Sequence, residues 1–245
     1  MKILALETSA VACSVALCED EKLLAQSFQN NGLTHSVTLM PMCQSMLAGC
    51  GVKLEDVDVI AVAAGPGSFT GLRIGVAAAK GLAWPGDKPC AGVSTLEAMA
   101  WTVAHVEGAE ICAVMDARRN QVYNARFAAV DGVPVRLTPD RAISLAELGE
   151  ELKNSGKPQI IVGDGAVLCY NNLNGCGPEL RMAPPHLRLQ TAWGVARAAL
   201  EQARAGTLTT AQGLTPDYHR LSQAERERLE RERTQERAET AAPTK

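Results

Sequence analysis

Hydroxyl-bearing and glycine residues gather at three turns where a chain of this kind could hold a phosphate. The first is Glu7-Thr8-Ser9-Ala10, set between two apolar runs, where Thr8 and Ser9 would supply hydroxyls. The second is Gly65-Pro66-Gly67-Ser68-Phe69-Thr70-Gly71, whose glycines let the backbone turn sharply and leave helix N–H groups pointing outward as anion donors. The third is Gly163-Asp164-Gly165-Ala166. None is a P-loop, because no Gly-Lys-Ser/Thr follows, and the Gly-x-Gly-x-x-Gly spacing of a dinucleotide site is missing. Thr8, Ser9, Gly65, Gly67, Gly163 and Gly165 are therefore candidates for weak ATP or ADP contacts, and a plain turn accounts for each of them as well. Glu7 and Asp116 are the acid–base candidates, and both also suit the orienting of a turn.

Metal chemistry has little to work with. The 8 cysteines form no Cys-x-x-Cys pair, and most sit singly in apolar runs such as Cys13-Ser14-Val15-Ala16-Leu17-Cys18. They read as buried free thiols. His35 has no second histidine at helical spacing, so no metal site is expected.

The elements that must carry these turns alternate. Short β-branched runs at 3–6, 59–64, 90–93, 111–115 and 159–162 predict buried strands, with further strands at 13–17, 23–28 and 122–129. Helices are predicted from His35 to Cys50 behind Thr34 as N-cap, from Leu72 to Trp84, from Leu96 to about Val106, around Ser144–Asn154 and from Ala192 to Ala205. Ser144-Leu145-Ala146-Glu147 has the pattern of a capping box. The chain also echoes itself: Asp116 falls on Glu7 and Tyr123 on Ser14 when the two halves are overlaid. An α/β fold of two related lobes follows, divided as 1–106 and 107–221, with the last helix free to pack back on the first lobe. Residues 222–245 form a tail of alternating Glu and Arg whose charges nearly cancel.

With 245 residues, 47% hydrophobic and 21% charged, the chain can bury a sizeable core. Its net charge of -3 gives no general attraction to nucleic acid or anionic lipid. An acid at position 7 comes too early for a signal peptide, and no apolar run reaches membrane-spanning length, so a reducing cytoplasm is the expected location.

Two helices stand out as surfaces. Leu39, Met40, Cys43, Met46, Leu47 and Cys50 fall at helical spacing, and Val37 and Met42 widen the stripe beyond what one sheet usually covers. Gly71, Gly75 and Ala79 recur at every fourth position of the next helix, a face that can pack on its own sheet or receive another helix.

Several stretches resemble the bacterial TsaB (YeaZ) family of threonylcarbamoyladenosine biosynthesis proteins. They are Leu6-Glu7-Thr8-Ser9 with Cys13-Ser14-Val15-Ala16-Leu17, His35 with Leu39-Met40-Pro41, the run Gly65 to Gly75, Gly92-Val93-Ser94-Thr95-Leu96, and Met115-Asp116-Ala117-Arg118-Arg119-Asn120. The likeness is dense over the first half and thins to Val162-Gly163-Asp164-Gly165 and Pro216-Asp217-Tyr218-His219-Arg220. It implies an actin-like (ASKHA) fold with a mixed sheet and flanking helices in each lobe. It also implies a non-catalytic scaffold that pairs with the catalytic paralogue TsaD, with the ATPase TsaE joining, and that forms a homodimer when alone. The tRNA is met only within that complex. The family's metal-binding paralogue carries His-x-x-x-His where this chain has Ser94-Thr95-Leu96-Glu97-Ala98. The resemblance assigns partner contacts to Leu39, Met40, Cys43, Met46 and Leu47 and to Ile74, Ala78 and Leu82, with Arg73 either on the polar rim or on a phosphate. The competing readings are a nucleotide-hydrolysing or kinase-like enzyme and a metallopeptidase. A contact of Arg118 and Arg119 with tRNA stays open.

Overall fold

The computed structural model describes residues 1–175 and 177–219. Arg220, Cys176 and the tail at 222–245 lie outside the described residues.

Apolar runs with β-branched residues build the first sheet. Its strands are β1 (Lys2–Glu7), β2 (Cys13–Glu19), β3 (Lys22–Gln29), β4 (Val59–Gly65) and β5 (Cys90–Ser94), in the order β3-β2-β1-β4-β5. The meander β1–β2–β3 is antiparallel, whereas β1, β4 and β5 run parallel. The parallel part needs crossover connections, which the helices supply.

Helices α1 (His35–Gly49) and α2 (Phe69–Ala83) cover one face of this sheet, where Leu4, Leu6, Val15, Leu17, Leu39, Cys43, Met46 and Val76 form one core. Helix α2 starts three residues before the expected Leu72 because the Ser68 hydroxyl accepts a hydrogen bond from the Gly71 N–H. Thr34 precedes α1 as expected, but its side chain makes no capping bond.

The second sheet is built from β6 (Glu110–Asp116), β7 (Gln121–Val130), β8 (Val133–Arg136), β9 (Arg141–Ser144), β10 (Gln159–Val162) and β11 (Leu180–Met182). Its order is β11-β10-β6-β7-β8, and β9 also pairs with β7. Helices α4 (Leu145–Ser155) and α5 (Ala166–Leu173) cover its outer face, and α4 opens on the expected capping box of Ser144 and Glu147. A four-residue helix α6 (Pro185–Arg188) stands where the sequence reads as loop.

Helices α3 (Thr95–Val103) and α7 (Ala192–Arg204) join the halves. Ala98 and Trp101 of α3 pack with α7 under the first sheet, while Leu96, Met99, Ala100 and Val103 of the same helix pack under the second. Polar ties reinforce the junction: the Ser94 hydroxyl donates to Asp140 at 2.5 Å, and Arg136 reaches Glu97 at 2.9 Å. No described helix is long and apolar enough to cross a membrane. All seven described cysteines are free thiols, and six of them are buried.

Candidate functional site: an exposed helix face and the turns of the cleft

The β1–β2 turn is held from three sides. Ser9 N–H donates to Glu7 Oε1 at 2.6 Å, the Thr8 hydroxyl donates to the Gly71 carbonyl at 2.8 Å, and Ser68 N–H donates to the Ser9 carbonyl at 2.6 Å. His35 Nε2–H donates to the Ala10 carbonyl at 2.7 Å, which ties the start of α1 to the same turn. Helix α2 reaches the turn because its small residues leave room. A Cβ added at Gly71 would run into the Thr8 carbonyl oxygen, and one at Gly75 into the Thr8 hydroxyl. The face of Gly71, Gly75 and Ala79 is therefore internal: it seats α2 on its own sheet and turn.

Glu7, Thr8 and Ser9 are fully buried. Burial pushes the Glu7 carboxyl up to about 7, and the nearby Asp164 carboxyl acts in the same direction. Oε2 of Glu7 and the hydroxyl of Ser9 have no protein partner.

The glycines proposed for phosphate contact also have internal reasons. Gly65 backs onto the Asp217 carbonyl, Gly67 onto Ser9, Gly163 onto the Val114 carbonyl and Gly165 onto the backbone of Met115 and Asp116. Gly163 also adopts φ 115°, which only glycine takes without strain. Asp164 accepts a 2.8 Å bond from Gln190 Nε2. Burial raises the pKa of Asp164, and the charge of Asp116 acts in the same direction, as Asp164 does on Glu7. Among the described residues no group of three or more His, Cys, Asp or Glu is placed to hold a metal ion.

The helix pair presents a different surface. Leu39, Cys43, Met46 and Leu82, expected at a partner surface, lie in the core and support the face from beneath. Met40 is exposed, and Leu47, Ile74 and Ala78 are half-buried along the flanks of the two helices. Beside them the outer side of α2 carries Thr70, Ala77 and Gly81, and open space surrounds Gly81. Trp84, at the end of α2, is 77% exposed, the most exposed aromatic among the described residues. Its signal in the sequence was a lone aromatic beside Pro85-Gly86, which reads as a helix stop.

Arg73 has an intramolecular task. Its guanidinium lies 3.8 Å over the Phe69 ring and donates to the Tyr218 hydroxyl at 2.9 Å. With Asp217 N–H bonded to the Ala64 carbonyl at 2.7 Å, this clamps the chain around 217–218 onto the start of α2.

Two lobes that each open on an antiparallel meander, with α3 packed under both sheets and α7 returning onto the first, make this an actin-like α/β protein. The TsaD family model, described as tRNA N6-adenosine threonylcarbamoyltransferase, matches residues 23–165. The tRNA threonylcarbamoyladenosine biosynthesis protein TsaB of Bacillus subtilis is 34% identical over 239 residues, covering 94% of this chain and 99% of that protein. Its Escherichia coli namesake is 42% identical over 128 residues, 52% of this chain and 55% of that protein. Two solved Pseudomonas aeruginosa structures share the fold, each covering 89% of this chain and 99% of theirs. One, described as similar to peptidase YeaZ, has a TM-score of 0.78 at 28% identity, and the other, YeaZ, has 0.73 at 26%. The chain belongs to the TsaB family of tRNA threonylcarbamoyladenosine biosynthesis proteins.

Proposed function

We propose that this chain serves threonylcarbamoyladenosine formation on tRNA as a non-catalytic subunit, docking on a TsaD-type transferase through the outer surface of α1 and α2. The observation that carries this reading is the face itself: Met40, Leu47, Ile74 and Ala78 beside small, open α2 positions, with Trp84 at its end. Exposed apolar residues rimmed by polar ones mark association sites, and small positions let a partner helix approach closely. A TsaE-type ATPase joins the pair, tRNA is met only in the assembly, and in the absence of TsaD the same face closes a homodimer. The relatives' names support the pathway. The residues at the start of α3 support the absence of catalysis, since Ser94, Thr95 and Glu97 offer no imidazole there.

The test is light scattering after size-exclusion chromatography, on the chain alone and mixed with TsaD, with and without ATP and TsaE. A homodimer that converts to a mixed complex is expected. Trp84→Ala combined with Met40→Ala should weaken pairing at least tenfold, since a central truncation of this kind costs about 2 kcal/mol. Both side chains are exposed, so the monomer should keep its circular dichroism. A chain that stays monomeric and ignores TsaD would overturn the reading and return attention to a nucleotide-processing activity in the cleft.

A further inference from the structure

Sheet edges invite strand addition, and among the described residues every edge but one is guarded. β5 is bonded to the returning chain, with Cys90 and Thr209 exchanging hydrogen bonds at 2.7 and 2.8 Å. β8 and β9 have four residues each, and β8 carries Pro134. β11 has three. β3 is the exception: it ends the first sheet, runs for eight residues without proline, and has no charged side chain from Leu23 to Gln29.

A groove of about 740 Å³ lies beside it, between β3 and one flank of α1. Ser27 and Gln29 form one wall, and Val37, Pro41, Met42 and Ser45 form the other. The whole lining is free of charge. Gln29 Oε1 is a buried acceptor with no protein partner. Helical spacing puts Met42 and Ser45 on the side of α1 away from Met40 and Leu47, and only Val37, three residues before Met40, borders the face assigned to TsaD.

We infer that the groove between β3 and α1 binds an uncharged, extended peptide segment of a partner protein, which adds to β3 as a sixth strand of the first sheet. The outward N–H and C=O groups of β3 supply the backbone ladder, and alternate side chains of the segment drop beneath α1. A rotation about the Gln29 side chain brings its Oε1, buried and unpaired in the free chain, to a hydrogen bond from the segment. Neutrality of the lining sets the specificity, because an inward Lys or Glu would be buried against groups that cannot pair with it. A strand held here leaves the opposite flank of α1 free, so both partners can be carried together.

The experiment is selection of phage-displayed random twelve-residue peptides on the full chain, followed by synthesis of the enriched sequences. Binding is measured by fluorescence anisotropy, and hydrogen exchange is followed across residues 22–29. Neutral peptides of alternating pattern are expected, with slowed exchange in β3. Ser45→Lys places a charge at the wall on an exposed position, and should weaken binding at least tenfold with circular dichroism unchanged. No enrichment, equal binding to the Ser45→Lys protein, or protection outside β3 would overturn the proposal. So would β3 protection that rises with protein concentration in the absence of peptide, which would identify a second copy as the occupant.

Discussion

The turn after β1 and the turn after β6 occupy equivalent places in the two lobes, yet they are built on opposite terms. In the first, Glu7, Thr8 and Ser9 are buried, and two helix starts are bonded to the turn. In the second, Asp116, Arg118, Arg119 and Asn120 are exposed, and the bonds are mostly local, with one from Leu145 N–H at the start of α4 to the Asn120 carbonyl at 3.2 Å. Asp116 Oδ1 accepts from Arg118 N–H at 2.6 Å, and three successive residues take left-handed φ values of 62°, 55° and 55°. One topology thus yields a plug in one lobe and an open corner in the other. The difference comes from α2: the first lobe has a glycine-faced helix lying on its turn, whereas at the second only Gly165, the N-cap of α5, backs onto Met115 and Asp116 and the tip from Arg118 to Asn120 is left exposed. In the plugged turn the phosphate-compatible hydroxyl of Thr8 is already committed to the Gly71 carbonyl.

The comparison breaks most visibly at Gly71. A Cβ there meets backbone rather than a flexible side-chain end, so the strain cannot be relieved by a rotamer change. Gly71→Ala should destabilise the chain by about 3 kcal/mol, read as a lowered urea midpoint. The same substitution at Gly81, where an added Cβ meets nothing, should be neutral or slightly stabilising through helix propensity. Equal losses at the two glycines would show that the fit of α2 onto the turn is not what holds the first lobe.

The contrast between these two glycines also marks how far the sequence could be read. Strand and helix order followed from hydrophobic period, and the Ser144–Glu147 cap followed from local chemistry. Four-residue strands such as β8 and β9 are too short to show a period of two, and α5 hides behind the Gly163–Gly165 turn, so neither was legible. The four-residue recurrence of Gly71, Gly75 and Ala79 reads alike for internal and external packing, because it gives a face but not what lies opposite. The same limit applies to α1. Its stripe announces an apolar helix, yet only the fold shows that Leu39 and Cys43 are covered while Met40 is open. Trp84 was invisible as a determinant because its role depends on where α2 ends, and Arg73, expected on the polar rim or a phosphate, holds Tyr218 because residue 218 returns beside it.

Next in size is the pH response of the plugged turn. Glu7 has its native pKa raised to about 7 from an ordinary 4.5, chiefly by burial. The native state therefore holds a proton that the unfolded state has lost between these values, and the wild type loses stability as pH rises from about 4.5 to 7. Glu7→Gln keeps an acceptor for Ser9 N–H and removes the buried charge. Its stability relative to wild type should improve by about 2 kcal/mol between pH 4.5 and pH 8, measured by denaturant midpoints at each pH. A difference that stays flat with pH would mean that the carboxyl is solvated, and the two turns would then be more alike than their burial suggests.

The smallest effect is expected at the open corner. Arg119 holds φ 55° with an exposed side chain, a conformation that costs a non-glycine residue about 1 kcal/mol. Arg119→Gly removes that strain, while the added freedom of the unfolded chain offsets part of the gain. The net should be stabilisation of about 0.5 kcal/mol, seen as a slight rise in the thermal midpoint. This is the reverse of what a side chain does at Gly71, and it follows from the same geometry: the first turn has backbone where a side chain would go, and the second has a side chain where the backbone would prefer none. Loss of 1 kcal/mol or more on Arg119→Gly would mean that the arginine braces the corner against its surroundings. The second turn would then depend on tertiary contacts, as the first does on α2.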